Sequence, residues 1–262
     1  MFFDSLNAAA RELGFKEIRE KLKKIVPDIS KQYSAFQIDT PYLETKVRNM
    51  HAFQVLLIDK IINEFEEINI VDIGDSAGTH LQYLKGLYSD VMKIRCLSVN
   101  LDSGAIDRIK SKGLEAIHSR AEDLGNYSVD ADVFLCFEMI EHLMNPTQFL
   151  YDLSVKTKAK YLILTVPYLS QSRVGLHPIR LNKHGNINAE NTHIFELCPK
   201  DWELLFRLSG WRIDYEQIYL QYPKKHYLRA MKHLWKKYDF EGFYGVRLVR
   251  DHKWSSRYLD WA

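Results

Sequence analysis

Cysteine is scarce in this chain. Cys96, Cys136 and Cys198 are odd in number, lie far apart and include no Cys-x-x-Cys pair. That spacing indicates neither a disulfide framework nor a thiolate zinc site. Long apolar runs are also missing, since no stretch approaches the roughly 18 residues of a membrane span. Met1-Phe2-Phe3-Asp4 lacks the basic-then-apolar order of a secretory signal, so none is expected. Neither charge sign dominates: 36 Lys and Arg stand against 34 Asp and Glu, a net charge of +2. Bulk charge therefore leaves no nucleic-acid footprint. The sequence has no internal repeat and no low-complexity tract. With 46% hydrophobic and 27% charged residues it is neither disordered nor collagen-like. The expectation is a soluble, cytoplasmic protein. Its 262 residues are enough for one large domain with a sizeable core, or two small ones.

Two kinds of pattern divide the chain near residue 65. Before it, Leu6, Ala9 and Leu13, then Val47, Met50, Phe53, Leu56 and Leu57, recur at helical spacing, interrupted by Pro27 and Pro41. This predicts an N-terminal helical arm over 1–65. Residues 66–262 then form the main domain. There, apolar runs at Ile68–Ile73, Ile94–Val99, Val133–Phe137 and Tyr161–Val166 alternate with helix patterns. Continuous apolarity predicts strands buried on both faces, as in a parallel sheet. The helix after the Val133 run has Asn145 to cap it, Pro146 in its first turn and Gln148 at the capping-box position. Alternation of this kind predicts a doubly wound α/β fold with right-handed crossovers. Towards the end, Pro199 opens a helix that Gly210 closes, and Trp211–Leu220 and Phe243–Val249 read as further strands.

The strongest local signal is Val71-Asp72-Ile73-Gly74-Asp75-Ser76-Ala77-Gly78, which follows the first strand and opens the first helix of the domain. A glycine turn there lets a ligand approach the backbone beside a helix N-terminus. The Gly-x-Ser-x-Gly spacing supports two readings. In one, Ser76 is the nucleophile of an esterase elbow, with Asp132 and His193 nominally available as partners. Against it, no His-Gly-Gly-type oxyanion segment lies upstream, and only one strand precedes Ser76. In the other, the turn holds a nucleoside ligand. About 22 residues after Gly78, the second strand ends in Ser98-Val99-Asn100-Leu101-Asp102, where a polar side chain can take ribose hydroxyls. Ala121-Glu122-Asp123-Leu124 follows a short third strand. Cys136-Phe137-Glu138-Met139-Ile140-Glu141-His142-Leu143 follows the fourth, and His193-Ile194-Phe195 precedes the Pro199 helix.

In that order and spacing, residues 66 to about 220 resemble class I S-adenosylmethionine-dependent methyltransferases, in particular those with a Glu-x-x-Glu-His segment after the fourth strand. The resemblance implies a Rossmann-like, mostly parallel seven-stranded sheet with an antiparallel C-terminal strand. It implies S-adenosylmethionine as cofactor and S-adenosylhomocysteine as product. Asp72, Gly74, Asp75, Ser76 and Gly78 correspond to the cofactor turn, Asn100 and Leu101 to the ribose end, and Ala121 and Glu122 to the adenine side. Phe137 and Glu138 would close the pocket, with Glu141 and His142 on the acceptor side. Three positions depart from the family: Ser76 stands at the middle glycine, Asn100 at the ribose acid with Asp102 nearby, and Thr157-Lys158-Ala159-Lys160 in place of a Gly-Gly before the fifth strand.

If the acceptor is an alcohol, its proton must leave as the new bond forms, which suits an imidazole that titrates near neutral pH. His142 paired with Glu141 is the first candidate base and His193 the second. His142 could equally cap or pack at the start of its helix. His177, His184 and His193 match no compact metal motif, so no metal is expected. The long segment Gln171–Thr192 carries Arg173, Arg180, Lys183, His184, Asn186, Asn188 and Asn191. Placed over the strand ends, it suits a nucleotide-linked or phosphorylated sugar, or it is a solvated loop. This predicts O-methylation in carbohydrate biosynthesis, against an esterase or a cofactor-binding protein without turnover. The basic stretch Tyr222–Phe240 also carries Met231, Leu234, Trp235 and Tyr238 at helix spacing. It reads as a face docked on the domain or on a second copy in a homodimer, with no nucleic-acid partner.

Overall fold

Each apolar run forms a strand, extended by a residue or two where polar ends join the ladder. A computed structural model describes residues 2–32, 37–75, 77–126, 129–175, 192–221 and 242–257, with Tyr227 and Ala230. In it β1 is Glu67–Ile73, β2 Lys93–Asn100, β3 Glu115–His118, β4 Val133–Phe137 and β5 Tyr161–Tyr168. Two-residue strands β6 (Arg173–Val174) and β7 (Phe195–Glu196) form a separate antiparallel pair, and β8 (Trp211–Leu220) and β9 (Gly242–Arg250) end the main sheet. The seven-stranded order is β3-β2-β1-β4-β5-β9-β8. From β3 to β5 every pairing is parallel, whereas β9 runs antiparallel to both β5 and β8. The doubly wound fold and the antiparallel C-terminal strand are therefore present as expected.

Helices α1 (Phe2–Glu12), α2 (Lys16–Ile25), α3 (Pro41–Ile62), α4 (Thr79–Tyr88) and α5 (Ser103–Ser111) lie on one side. Helices α6 (Pro146–Lys156) and α7 (Pro199–Leu208) lie on the other. Two apolar cores result, one per sheet face. Strand β4 alternates between them: Val133, Leu135 and Phe137 join the first, Phe134 and Cys136 the second. That two-sided burial is the reason its sequence is uniformly apolar. Cys96 and Cys136 are buried in these cores as small apolar residues.

The N-terminal segment is built into this core. Phe53 and Leu57 of α3 lie so close to β9 that a Cβ at Gly245 would stand 2.7 Å from Leu57 Cδ1 and 2.8 Å from Phe53 Cζ. Polar clamps hold the segment: Arg48 donates to the carbonyls of Val26 at 2.9 Å and Pro27 at 2.6 Å, and Asn49 Nδ2 donates to Leu6 O at 2.9 Å. Caps set the helix starts. Thr40 accepts from Leu43 N–H at 3.2 Å ahead of Pro41, and Asn145 accepts from Gln148 N–H at 3.1 Å ahead of Pro146. The expected capping box at α6 is only half made, because the Gln148 amide donates to Asp152 instead. Among the described residues, no helix is long and apolar enough to cross a membrane.

Candidate functional site

Beside β1 the strand order reverses, with β2 on one side and β4 on the other. Connections leaving the carboxyl ends of such strands diverge, and the crevice between them is where open α/β sheets bind ligands. Gly74 follows β1, Asn100 ends β2, Ala121 lies beyond β3, and Phe137–His142 spans the end of β4 and the turn after it. Gly74 has φ +95° and its N–H donates to Val99 O at 2.9 Å, which ties the turn to β2. A Cβ at Gly74 would stand 2.8 Å from Met139 Cγ, so the turn has room for backbone only. Gly78, at φ +69°, precedes the first turn of α4.

Several expected ligand residues spend their side chains inside the protein. Asp75 is buried, accepting from His80 N–H at 3.0 Å and Ala77 N–H at 3.3 Å, so it caps α4 from within. Asn100 donates to Asp75 O at 3.1 Å and accepts from Asp102 N–H at 2.8 Å, bracing the glycine turn against the end of β2. Asp102 nearby serves as the cap of α5, its two oxygens accepting from Gly104 and Ala105 N–H, both at 3.0 Å. Leu101 beside it is 52% exposed. Ser119 N–H donates to Asn100 O at 2.9 Å, which brings the Ala121–Glu122 turn alongside; Glu122 accepts from Arg120 at 3.3 Å. Ser76 lies outside the described residues.

Beneath the turn lies a polar network that the sequence does not announce. Asp72 Oδ2 is 3.2 Å from His80 Nδ1, and Asp75 Oδ2 is 3.6 Å from the same atom. Burial lifts the Asp72 carboxyl to about 6, and neighbouring Asp75 adds to the lift against the pull of His80. Burial opposes charge on His80 as well, yet the two carboxylates outweigh it and raise its pKa. His51 goes the other way, lowered by burial and by the charge of His80. The second nitrogen of His80 faces Gln54 Oε1 at 2.9 Å, and Gln54 Nε2 donates to Thr165 Oγ1 at 3.1 Å. Thr165 in turn bonds Glu138, so the network runs from the glycine turn to the end of β4. The ring of Phe137 packs on His80 with centroids 4.8 Å apart.

At the end of β4 the backbone bends sharply. Glu138 sits at φ +49°, rare for a residue with a Cβ, and its N–H donates to Thr165 O at 2.9 Å. Burial lifts its carboxyl to about 8. Glu141 is fully buried and neither carboxylate oxygen has a hydrogen-bond partner among the described residues. Burial, then the charges of Glu138 and Glu196, hold it well above the usual carboxylate range. His142 and His193 meet edge to face, with centroids 4.7 Å apart. Glu141 does not orient His142 through the hydrogen bond its sequence position suggests: Oε1 is 3.9 Å from Nε2, and Nδ1 faces Thr192 O at 2.9 Å instead.

His193 arrives on the β6–β7 hairpin. Ile194 N–H donates to Glu141 O at 2.8 Å, stitching the hairpin to the turn after β4. His193 Nδ1 is 3.0 Å from Glu196 Oε1, and Arg173 bonds the other oxygen of Glu196. Burial raises the Glu196 pKa, but His193 and Arg173 overcome it and bring it below the ordinary value. Arg173 is thus engaged within the hairpin. Residues 176–191, with His177, Arg180, Lys183, His184, Asn186, Asn188 and Asn191, lie outside the described residues, as do 222–226, 228–229 and 231–241 of the basic stretch. Asp132, the acid the esterase reading would need, accepts from Asn69 N–H at 2.8 Å at the amino end of the sheet, about a strand's length from the glycine turn that follows the carboxyl end of β1.

No protein-family model and no curated protein matches the sequence. The fold does match solved structures. The Burkholderia thailandensis 1,6-didemethyltoxoflavin-N1-methyltransferase, with S-adenosylhomocysteine bound, superposes with a TM-score of 0.54 at 12% identity over 77% of this chain and 78% of that one. The StiE O-MT structure gives 0.55 at 10% identity, covering 84% and 81%. The 4+2 cyclase SpnF gives 0.56 at 10% identity, covering 89% and 92%. The fold is accordingly that of the class I methyltransferases, and a cyclase shares it.

Proposed function

We propose that this chain is an S-adenosylmethionine-dependent methyltransferase acting on a hydroxyl of a sugar-like small molecule. The observation that carries the reading is the arrangement at the β1–β4 reversal. A backbone-only glycine turn, tied to β2, faces one side of the crevice, and two imidazoles with buried carboxylates face the other. The turn fits the methionine part and ribose of the cofactor, because Gly74 leaves its backbone open to close approach. Leu101, exposed beyond β2, is placed to cover adenine, with Ala121 and Glu122 alongside. A neighbour of the same fold was solved with S-adenosylhomocysteine bound, which supports the identity of the cofactor.

When bound, the cofactor supplies a methyl group already activated on sulfur. The residues of the chain align the acceptor and deal with its proton. The carbonyl of Thr192 and the carboxylate of Glu196 are acceptors, so the Nδ1 of His142 and of His193 carries a hydrogen, which leaves Nε2 as the nitrogen able to act as base in the neutral ring. A lone pair beside a reacting hydroxyl can take the proton. The sugar-like acceptor rests on the donors of segment 171–192, with Arg173 set aside because it bonds Glu196. Calorimetry with S-adenosylhomocysteine tests the cofactor, and a homocysteine-release assay across nucleotide sugars and glycan precursors tests the acceptor. Absence of binding at saturating S-adenosylhomocysteine refutes the proposal. Binding without turnover on any acceptor makes the chain a binding protein.

A further inference from the structure

Gln54 reaches from α3 into the core and sets the direction of the hydrogens in a buried chain. Thr165 donates to the Glu138 carboxyl, which leaves Thr165 Oγ1 to accept from Gln54 Nε2 at 3.1 Å. The amide oxygen of Gln54 is then the atom that faces His80 Nε2 at 2.9 Å, so that nitrogen carries a hydrogen. The other ring nitrogen meets carboxylates: Asp72 Oδ2 at 3.2 Å and Asp75 Oδ2 at 3.6 Å. Both Asp72 and His80 are buried, and neither Asp72 Oδ2 nor His80 Nδ1 makes a hydrogen bond elsewhere among the described residues. Were the ring neutral and Asp72 ionised, a bare nitrogen lone pair would face two carboxylates away from water, which is expensive. One hydrogen between Asp72 Oδ2 and His80 Nδ1 removes that opposition, whichever of the two atoms it sits on.

We infer that His80 and Gln54 are positioning residues for the glycine turn: they keep one hydrogen between His80 Nδ1 and Asp72 Oδ2, and the turn holds its shape while that hydrogen is present. The link to the turn is Asp75. Its carboxylate accepts from the Ala77 and His80 N–H groups, and its carbonyl accepts from Asn100. Once the hydrogen leaves, the Nδ1 lone pair repels the carboxylate that caps α4. The two carboxylates raise the pKa of His80 against burial, so the hydrogen stays to a higher pH than on a free imidazole and is lost as pH rises through the folded value. The other groups around the pair do not take it over. His51 on α3 is held neutral by burial, then by His80 and Arg48, and Tyr83 on α4 keeps its hydrogen because burial raises it. Burial likewise raises the thiols of Cys96 on β2 and Cys136 on β4, and Lys112 beyond α5 acts on Asp75. The consequence for the cofactor rests on the proposed function: affinity at the turn falls as the hydrogen leaves.

The test has a part that needs no cofactor. In 15N NMR of the histidine-labelled chain, with His80 assigned from His80→Gln, the neutral ring should carry its hydrogen on Nε2. In Gln54→Leu, which removes the acceptor, it should move to Nδ1 and face Asp72. Protection of the Ala77 and His80 amides should fall from about pH 6.5 to about pH 8.5 in wild type and hold in Asp72→Asn, whose amide supplies a hydrogen that does not titrate. The second part is calorimetry with S-adenosylhomocysteine over the same range. Wild-type Kd should weaken at least ~10-fold, the loss of one proton allowing up to ~10-fold per pH unit, and the slope should flatten in His80→Gln and Asp72→Asn. Circular dichroism checks that each variant folds, and either flattened variant suffices if the other does not. A neutral wild-type ring with its hydrogen on Nδ1, a tautomer unmoved in Gln54→Leu, or amide protection equally pH-dependent in wild type and folded Asp72→Asn overturns the inference. If S-adenosylhomocysteine binds at no pH while the tautomer and the amides behave as expected, the positioning pair stands and the methyltransferase reading falls. If it binds with the same slope in wild type and both variants, the pair does not govern the turn.

Discussion

Gly74→Ala is the sharpest test of the cofactor turn. At φ +95° an L-residue pays about 1–2 kcal/mol for the left-handed backbone. The added Cβ also lands 2.8 Å from Met139 Cγ. Overpacking costs about 1–3 kcal/mol, of which a flexible thioether side chain relieves part. The expected loss is therefore about 2–4 kcal/mol, or a Tm fall of about 5–15 °C. Gly113→Ala is the matched control: it has φ +71° and nothing within 4 Å of its added Cβ, so only the backbone cost applies. Calorimetry with S-adenosylhomocysteine should show at least a ~10-fold weaker Kd for Gly74→Ala, equivalent to about 1.4 kcal/mol. Gly113→Ala should bind as wild type. A folded Gly74→Ala protein that keeps wild-type affinity would refute the placement of the cofactor at this turn.

The other predictions concern neighbouring groups. Asp102→Ala should cost about 1 kcal/mol in chemical unfolding through loss of the α5 cap, yet leave S-adenosylhomocysteine affinity unchanged; a large affinity loss would restore Asp102 as a ribose contact. Gln54→Leu leaves His80 and Thr165 short of a partner, at about 1–3 kcal/mol for each buried group, measured by urea unfolding. Asp72 is raised from 3.8 to about 6, so the folded state holds its proton more tightly. Its contribution is full below the unfolded value and is lost as pH rises through about 6, a swing of up to about 3 kcal/mol. Asp72→Asn should flatten stability between those pH values, and an unchanged slope would contradict the assignment. His142→Ala should lower turnover by ~10²–10⁴-fold with cofactor affinity intact, once an acceptor is found; near-wild-type turnover would move the role to His193.

Much of the fold is legible because burial on both faces leaves a mark in the sequence. Strand β4 has five buried residues in a row, and no surface element reads that way. The caps at Thr40 and Asn145 are equally local, each satisfied within three residues. Other features depend on distant partners. Strands β6 and β7 have two residues each, too few for any periodicity, and exist because Arg173 and Val174 pair with Glu196 and Phe195. Helix α3 shows its apolar stripe, but its seat on β9 depends on Gly245, whose missing side chain carries no pattern. Asp102 and Asp75 show why such residues are ambiguous in the sequence: an acid near a strand end can serve a ligand or a helix N-terminus, and here both accept from helix N–H groups.

The acceptor side shows where sequence pattern stops and tertiary structure begins. Glu141 and His142 are adjacent, which invites the idea of a carboxylate orienting an imidazole. The turn after β4 instead directs the carboxylate into the core, and the carbonyl of Thr192, just ahead of β7, holds the ring. In the sequence His193 is one of three loop histidines; in the fold Ile194 N–H bonds Glu141 O and Glu196 anchors the Nδ1 of His193. A cyclase and methyltransferases share the strands that carry these groups, so the sheet alone does not select a reaction. What sets this site apart is Glu141: it is fully buried, and neither oxygen has a hydrogen-bond partner among the described residues. A carboxylate kept that dry is costly as an anion, so burial and the charges of Glu138 and Glu196 hold its pKa well above the usual carboxylate range.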